Sequence, residues 1–219
     1  MRVSRHRGGA NLHPMSSRNE VQRGRFIVFE GGDGSGKSTQ AKMLAAALGA
    51  ELTREPGGTP ISEKIRALVL DPTFPELDAR TEALLMAASR AQHVVELIEP
   101  ALARGTSVVS DRFIASSLAY QGVARGLGIE AVATANALAL NGLQPDLTIF
   151  LKVSAKAARG RLGDALDRIE QASLDDVVVS TYEQFAAENP DGWLVVEAEG
   201  SIEEIGARIR SGVRERLGL

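Results

Sequence analysis

Gly31-Gly-Asp-Gly-Ser-Gly-Lys-Ser38 sets a lysine and a hydroxyl directly after a glycine-rich run, at the spacing Gly-x4-Gly-Lys-Ser. That spacing is a phosphate loop. Glycines at Gly31, Gly32, Gly34 and Gly36 let backbone N–H groups converge on phosphate oxygens with no side chain in the way. Ser35 and Thr39 belong to the same cradle. Lys37 supplies a point charge for the β- and γ-phosphates, and the Ser38 hydroxyl can ligate Mg²⁺. A second set of polar residues lies further along: Arg54, Arg90, and the pair Asp111-Arg112. A carboxylate ending a buried strand, such as Asp111, can hold Mg²⁺ directly or through water. An arginine fork, such as Arg112, suits a phosphate monoester better than a lysine does.

These residues need a frame that brings them together. Phe26 to Phe29 reads as a short buried strand, and Lys37 to Leu48 as the helix that opens on the loop. That helix would add the positive end of its dipole to a bound phosphate. Further strands are expected over 50–53, 107–111, 147–153 and 193–197. Helices are expected over 62–70 with Ser62 as N-cap, 79–103, from 116 to 121, and over 129–140, 175–187 and 202–214. Strands alternating with helices imply an α/β fold with a parallel sheet covered on both faces. In such a sheet ligands sit at the carboxyl ends of the strands, so Asp33, Arg54, Arg90, Asp111 and Arg112 could share one crevice.

The 219 residues fit one domain with a sizeable core. A net charge of −3 argues against bulk electrostatic binding of nucleic acid. No cysteine is present, which excludes a disulfide frame and thiolate metal sites and fits a reducing cytosol. No apolar run approaches the roughly 18 residues needed to span a bilayer. Residues 1–23 are basic, aperiodic and acid-poor, and read as a disordered tail ahead of a single domain over 24–219. The same composition also fits an organelle transit peptide, or translation starting at Met15. A GTPase would need an Asn-Lys-x-Asp guanine motif, which is absent.

Five segments carry a resemblance. Glu30 to Thr39, Thr53-Arg-Glu-Pro-Gly-Gly-Thr59, Asp111-Arg-Phe113 with Ala119-Tyr-Gln-Gly122, Pro145-Asp-Leu-Thr148 and Leu166-Asp-Arg-Ile-Glu170 occur in the order found in thymidylate kinases. The chain thus resembles that family over residues 26 to about 170. The resemblance implies a five-stranded P-loop nucleoside-monophosphate-kinase fold, ATP and dTMP as substrates, Mg²⁺ as cofactor and a cytoplasmic homodimer. It implies that Asp33 accepts from the deoxyribose 3′-OH and that Tyr120 lies against the 2′ carbon. Arg90 and Gln121 would contact the base, Arg54 and Arg112 the acceptor phosphate, and Ser116 belongs to the same dTMP site. Met86 stands where the family often has a stacking phenylalanine, and Lys152 where it often has an acid. The stretch 156–170 falls where the family has its lid. Gly34 occupies a position that is basic in one branch, so the resemblance is to the bacterial branch, with Arg161 and Arg168 catalytic and Arg159 near the adenine. Two alternatives stand beside the kinase reading: a non-catalytic nucleotide-binding protein on the same fold, and a kinase for another nucleotide.

Overall fold

The computed structural model describes residues 22–73, 77–154, 157–158 and 175–219. Five parallel strands lie in the order β2-β3-β1-β4-β5: β1 (Phe26–Glu30), β2 (Glu51–Arg54), β3 (Val108–Asp111), β4 (Leu147–Lys152) and β5 (Trp193–Glu197). β1 is central, and every one of its residues is buried. Its side chains alternate between the two faces. Ile27 and Phe29 pack with Leu44, Ile205 and Ile209 on one side, while Phe26 and Val28 pack with Val94, Ile98 and Phe113 on the other. A strand covered on both faces must be apolar throughout. Glu30 at its end therefore stands out.

The helices follow the expected alternation, with local differences. α1 (Lys37–Leu48) buries Ala41, Leu44 and Ala45 at helical spacing and ends on left-handed Gly49. α2 (Pro60–Leu70) starts earlier than expected, because Pro60 suits a first helical position. Ser62 is not its N-cap. Thr59 caps the helix by accepting from the Ser62 amide, and the fully buried Ser62 hydroxyl instead donates to the Ser89 carbonyl at 2.8 Å. The long stretch 79–103 divides into α3 (Ala79–His93), a π-helical turn (Val94–Ile98) and α4 (Glu99–Ala103). After β3 comes α5 (Ile114–Ser117), earlier than the expected start at 116, and then a π-helical segment, Leu118–Ala124. Then come α6 (Ile129–Leu140), α7 (Asp175–Glu188) and α8 (Ile202–Leu217). Ser201 and Glu204 form a reciprocal capping box at the start of α8.

Asp146, in the segment before β4, fastens the sheet's first strand. Its carboxylate accepts from the Phe26 amide at 2.7 Å and pairs with Arg23 and Arg25. Burial works against its charge, but the Phe26 amide and the two arginines outweigh it and hold the carboxyl below the ordinary aspartate range. Lys152 pairs with Glu183 at 2.9 Å, which accounts for a base at that position.

Candidate functional site

The carboxyl ends of β1 and β3 open into a cavity of about 740 Å³. One wall is the turn from β1 to α1. A Cβ on Gly31, at φ 153°, would lie 2.7 Å from the Leu151 carbonyl oxygen. A Cβ on Gly34, at φ 72°, would lie 2.6 Å from the carbonyl oxygen of Ala158. Nothing bulkier than glycine fits either position without backbone movement. α1 has no side-chain cap and no acid in its first turn, so its N–H groups are left for an anion.

Lys37 folds back over this turn. Its ammonium donates to the Gly31 and Gly32 carbonyls at 3.0 and 2.8 Å and lies 3.9 Å from Asp33. Gly31 and Gly32 thus hold the lysine rather than line the cavity, whereas Asp33 through Thr39 do line it. Burial first, and then the Arg112 charge, lower the Lys37 pKa to about 8, against the pull of Asp111, Asp33 and Glu30.

The last residue of β3 and the two that follow send three side chains in three directions. Asp111 Oδ2 accepts from the Ser38 hydroxyl at 2.5 Å. Asp111 Oδ1 is buried with no hydrogen-bond partner among the described residues. A hydroxyl and an orphaned carboxylate oxygen side by side fit a hard divalent cation. Among the described residues no group of three or more His, Cys, Asp or Glu could hold a metal. Phosphate oxygens and water would therefore complete such a shell. Phe113 turns inward and meets Phe26 edge to face at 4.9 Å. Between them Arg112 sits at φ 72°, a left-handed conformation costing a non-glycine residue roughly 1–2 kcal/mol. That backbone sends its guanidinium across the cavity to Asp33, to the Gly31 carbonyl and to Ser116. The guanidinium also lies 5.3 Å from the Tyr120 ring centroid.

Three buried acids support the far wall. Glu30 Oε1 accepts from the Phe113 and Ser116 amides at 3.0 and 3.2 Å, and Oε2 accepts from the Ser116 hydroxyl at 2.6 Å. Burial raises its pKa, with Arg112 and these hydrogen bonds opposing. Glu55 Oε2 takes Arg90 Nε at 2.8 Å, and Glu55 Oε1 lies 2.9 Å from His93 Nδ1. His93 Nε2 is 2.6 Å from the Thr53 hydroxyl. Glu82, fully buried, takes Gln121 Nε2 at 2.9 Å.

Every expected cavity residue outside the lid and the first two glycines lines this space. Met86 and Tyr120 share a core cluster and both reach the cavity. Tyr120 points its hydroxyl at Asp33 from 3.4 Å. Arg90 is 2% exposed, and most of its donors are occupied by Glu55, Asn136, Ser117 and the Phe113 carbonyl. Arg54 lines the cavity from an exposed pair with Glu63. The opposite end is formed by Gln40 and the turn into α8, where Gly200, Ser201, Ile202 and Ile205 line the space. Arg159, Arg161 and Arg168 lie outside the described residues. Glu30 and Glu55 sit inside segments the sequence singles out, but their positioning roles, like those of Glu82, His93 and Asn136, are visible only in three dimensions. An acid closing an all-apolar strand was the available signal for Glu30.

The family model described as thymidylate kinase matches residues 29–209. The chain is 48% identical over 195 residues to thymidylate kinase of Lactobacillus delbrueckii subsp. bulgaricus, covering 83% of this chain and 92% of that protein. It is 46% identical over 211 residues to thymidylate kinase of Exiguobacterium sibiricum, covering 89% and 99%. Among solved structures, thymidylate kinase from Ehrlichia chaffeensis superposes with a TM-score of 0.73 at 29% identity, covering 87% of this chain and 99% of that one.

Proposed function

The chain belongs to the thymidylate kinase family and transfers the γ-phosphoryl group of ATP to dTMP, and we propose that it does so with the phosphate loop as donor site and the wall opposite as acceptor site. The observation that carries this assignment is Arg112, whose guanidinium joins the loop's Asp33 and Gly31 to the acceptor-side Ser116 and Tyr120. Phosphoryl transfer calls for positioning and charge neutralisation more than covalent help. Amides of Gly34, Ser35, Gly36, Lys37, Ser38 and Thr39 hold the ATP phosphates, and the Lys37 ammonium swings from the loop carbonyls to the β- and γ-oxygens. Arg112 draws the dTMP phosphate into line, with Arg54 at its outer side. Asp33 accepts from the sugar 3′-OH, and the Tyr120 ring fills the space a 2′-OH would need. Arg90 and Gln121 read the pyrimidine edge, and Met86 lies against its face.

Mg²⁺ would be held by Ser38 and Asp111 and would neutralise phosphate charge; the orphaned Asp111 oxygen supports that assignment. The leading candidates for the remaining charge on the phosphoryl in flight are Arg161 and Arg168, with Arg159 nearer the adenine. Gly34 supports this, since it leaves the loop with no side-chain cation beyond Lys37. We also assign a homodimer, supported by the exposure of Leu84, Val95 and Leu138 at 60%, 60% and 92% on neighbouring helical segments. A cytoplasmic location accords with the substrates. Among the described residues no helix is long and apolar enough to cross a membrane.

The test of the site is ADP release coupled to dTMP, with single alanine substitutions at Arg112, Arg159, Arg161 and Arg168. Arg112→Ala is expected to abolish turnover. One lid substitution is expected to reduce kcat by about 10³-fold or more, with dTMP affinity nearly kept. Near-normal kcat in all three lid variants would remove the lid from the chemistry.

A further inference from the structure

Glu82 lies on α3, fully buried, and does not line the cavity. Its two oxygens face two different donors: Gln121 Nε2 at 2.9 Å and Arg125 Nη2 at 3.4 Å. A carboxylate accepts and does not donate, so the side-chain amide of Gln121 has one orientation open to it. Its NH₂ must face Glu82. Its carbonyl oxygen then has no partner among the described residues, and Gln121 lines the cavity beside Met86, Arg90 and Tyr120. Amide orientation is often ambiguous, because oxygen and nitrogen are alike in size. Here the chemistry of the partner decides it.

We propose that Glu82 sets which pyrimidine the acceptor pocket takes, by locking the Gln121 amide with its carbonyl toward the base. The proposal rests on the reading that the pyrimidine lies against Gln121. A carbonyl oxygen at that point pairs with a base whose N3 carries hydrogen. Thymine N3–H donates to it. Cytosine N3 presents a lone pair, so two acceptors would meet and both would lose their water. Rejection by an unpaired buried polar group is stronger than rejection by shape alone. Glu82 does not touch the substrate, and is therefore a positioning residue. Arg125 helps by occupying the second oxygen with a group that can only donate.

The decisive variant is Glu82→Gln. Arg125 still claims an oxygen there, so the new NH₂ falls beside Gln121. Gln121 must turn its carbonyl to that NH₂ and its own NH₂ to the cavity. The ratio of kcat/KM for dCMP to that for dTMP is expected to rise by at least about tenfold, carried by KM more than by kcat. Loss of mere structural support would lower both substrates together and leave the ratio where it was. An unchanged ratio in folded Glu82→Gln overturns the proposal. Gln121→Ala, measured alongside, separates two grounds of failure. If it leaves dTMP affinity intact, the base does not lie at Gln121, and the proposal falls with that placement. If it weakens dTMP while the Glu82→Gln ratio holds, the placement stands and the orienting role of Glu82 fails. Should Glu82→Gln be recovered unfolded, the apolar pair Glu82→Met with Arg125→Met removes the acceptor altogether and leaves no buried charge unpaired, so the Gln121 amide is free to present either end to the base and the ratio is again expected to rise. An unchanged ratio in that pair is equally fatal.

Discussion

The donor wall of the cavity comes from one continuous stretch, residues 33–40, with the turn into α8 at its far end, whereas the acceptor wall is drawn from β2 and the residues after it, α2, α3, and the stretch from Asp111 through Gln121. The first is shaped by backbone: glycines that no side chain could replace, and a lysine resting on the loop's own carbonyls. The second is shaped by buried carboxylates. Glu30 holds the loop that carries Arg112, Glu55 holds Arg90, and Glu82 holds Gln121. The two constructions should fail differently. Damage to the donor wall should remove charge from the transfer step and spare the fold. Damage to the acceptor wall should strand a buried group, and so cost stability and substrate fit together.

The sharpest contrast lies in Lys37→Ala against Glu55→Gln. Lys37→Ala is expected to lower kcat by about 10³-fold, the scale of one electrostatic contact in a water-excluded site. Its melting temperature should not fall. Burial already depresses the Lys37 pKa to about 8, so the fold disfavours the charge that is removed. Glu55→Gln leaves Arg90, 2% exposed, without its counter-charge. Breaking such a pair costs about 3–5 kcal/mol, read as a lowered denaturation midpoint. The KM for dTMP should rise while ATP affinity holds. A stable Glu55→Gln protein with normal dTMP kinetics would break the comparison.

A smaller effect tests the acceptor wall's sugar contact. Tyr120 is 6% exposed, with Arg112 over its ring and Asp33 at its hydroxyl. Tyr120→Ala should narrow the preference for dTMP over its ribo counterpart by about 10- to 100-fold in kcat/KM. An unchanged preference would show that the ring does not exclude the 2′-OH.

The same division decides what could be read from the chain alone. β1, the glycine turn and α1 are contiguous, so spacing reveals both structure and chemistry there. Asp111-Arg112 was legible because an acid and a base ending a buried strand are out of place unless something needs them. The supports of the acceptor wall were not legible. Glu82 and His93 on a helix of mixed composition look like solvated positions, and only long-range packing buries them: the segment after β3 meets Glu82, and β2 with the loop after it meets His93. Ser62 escapes sequence pattern for a related reason. A serine near a helix start suggests a cap, but Thr59 already does that work, and the Ser62 hydroxyl is spent on α3. Long-range pairing leaves no periodicity, so sequence pattern has nothing to detect.

The smallest expected effect is a proton count, and it separates the walls without any mutation. In the ligand-free protein Lys37 has a pKa of about 8, lowered by burial and by Arg112. Anionic phosphates at its ammonium favour the charged form and must raise that pKa. Binding of ATP above pH 8 should therefore take up a proton, rising with pH towards one per nucleotide and fading towards pH 7, where the lysine is already charged. At pH 9 the phosphates of free ATP have no proton left to give, so the uptake belongs to the protein. The acceptor wall meets dTMP with arginines, which do not titrate in this range. Binding of dTMP at pH 9 reaches Lys37 only through Arg112, whose charge its phosphate screens, and should therefore take up less than ATP does. Calorimetry in two buffers of different ionisation enthalpy, at pH 7 and pH 9, gives all four numbers. Lys37→Ala should abolish the ATP uptake at pH 9. Equal uptake for the two nucleotides, or uptake that survives in Lys37→Ala, would mean that the titrating group is not the donor wall's lysine.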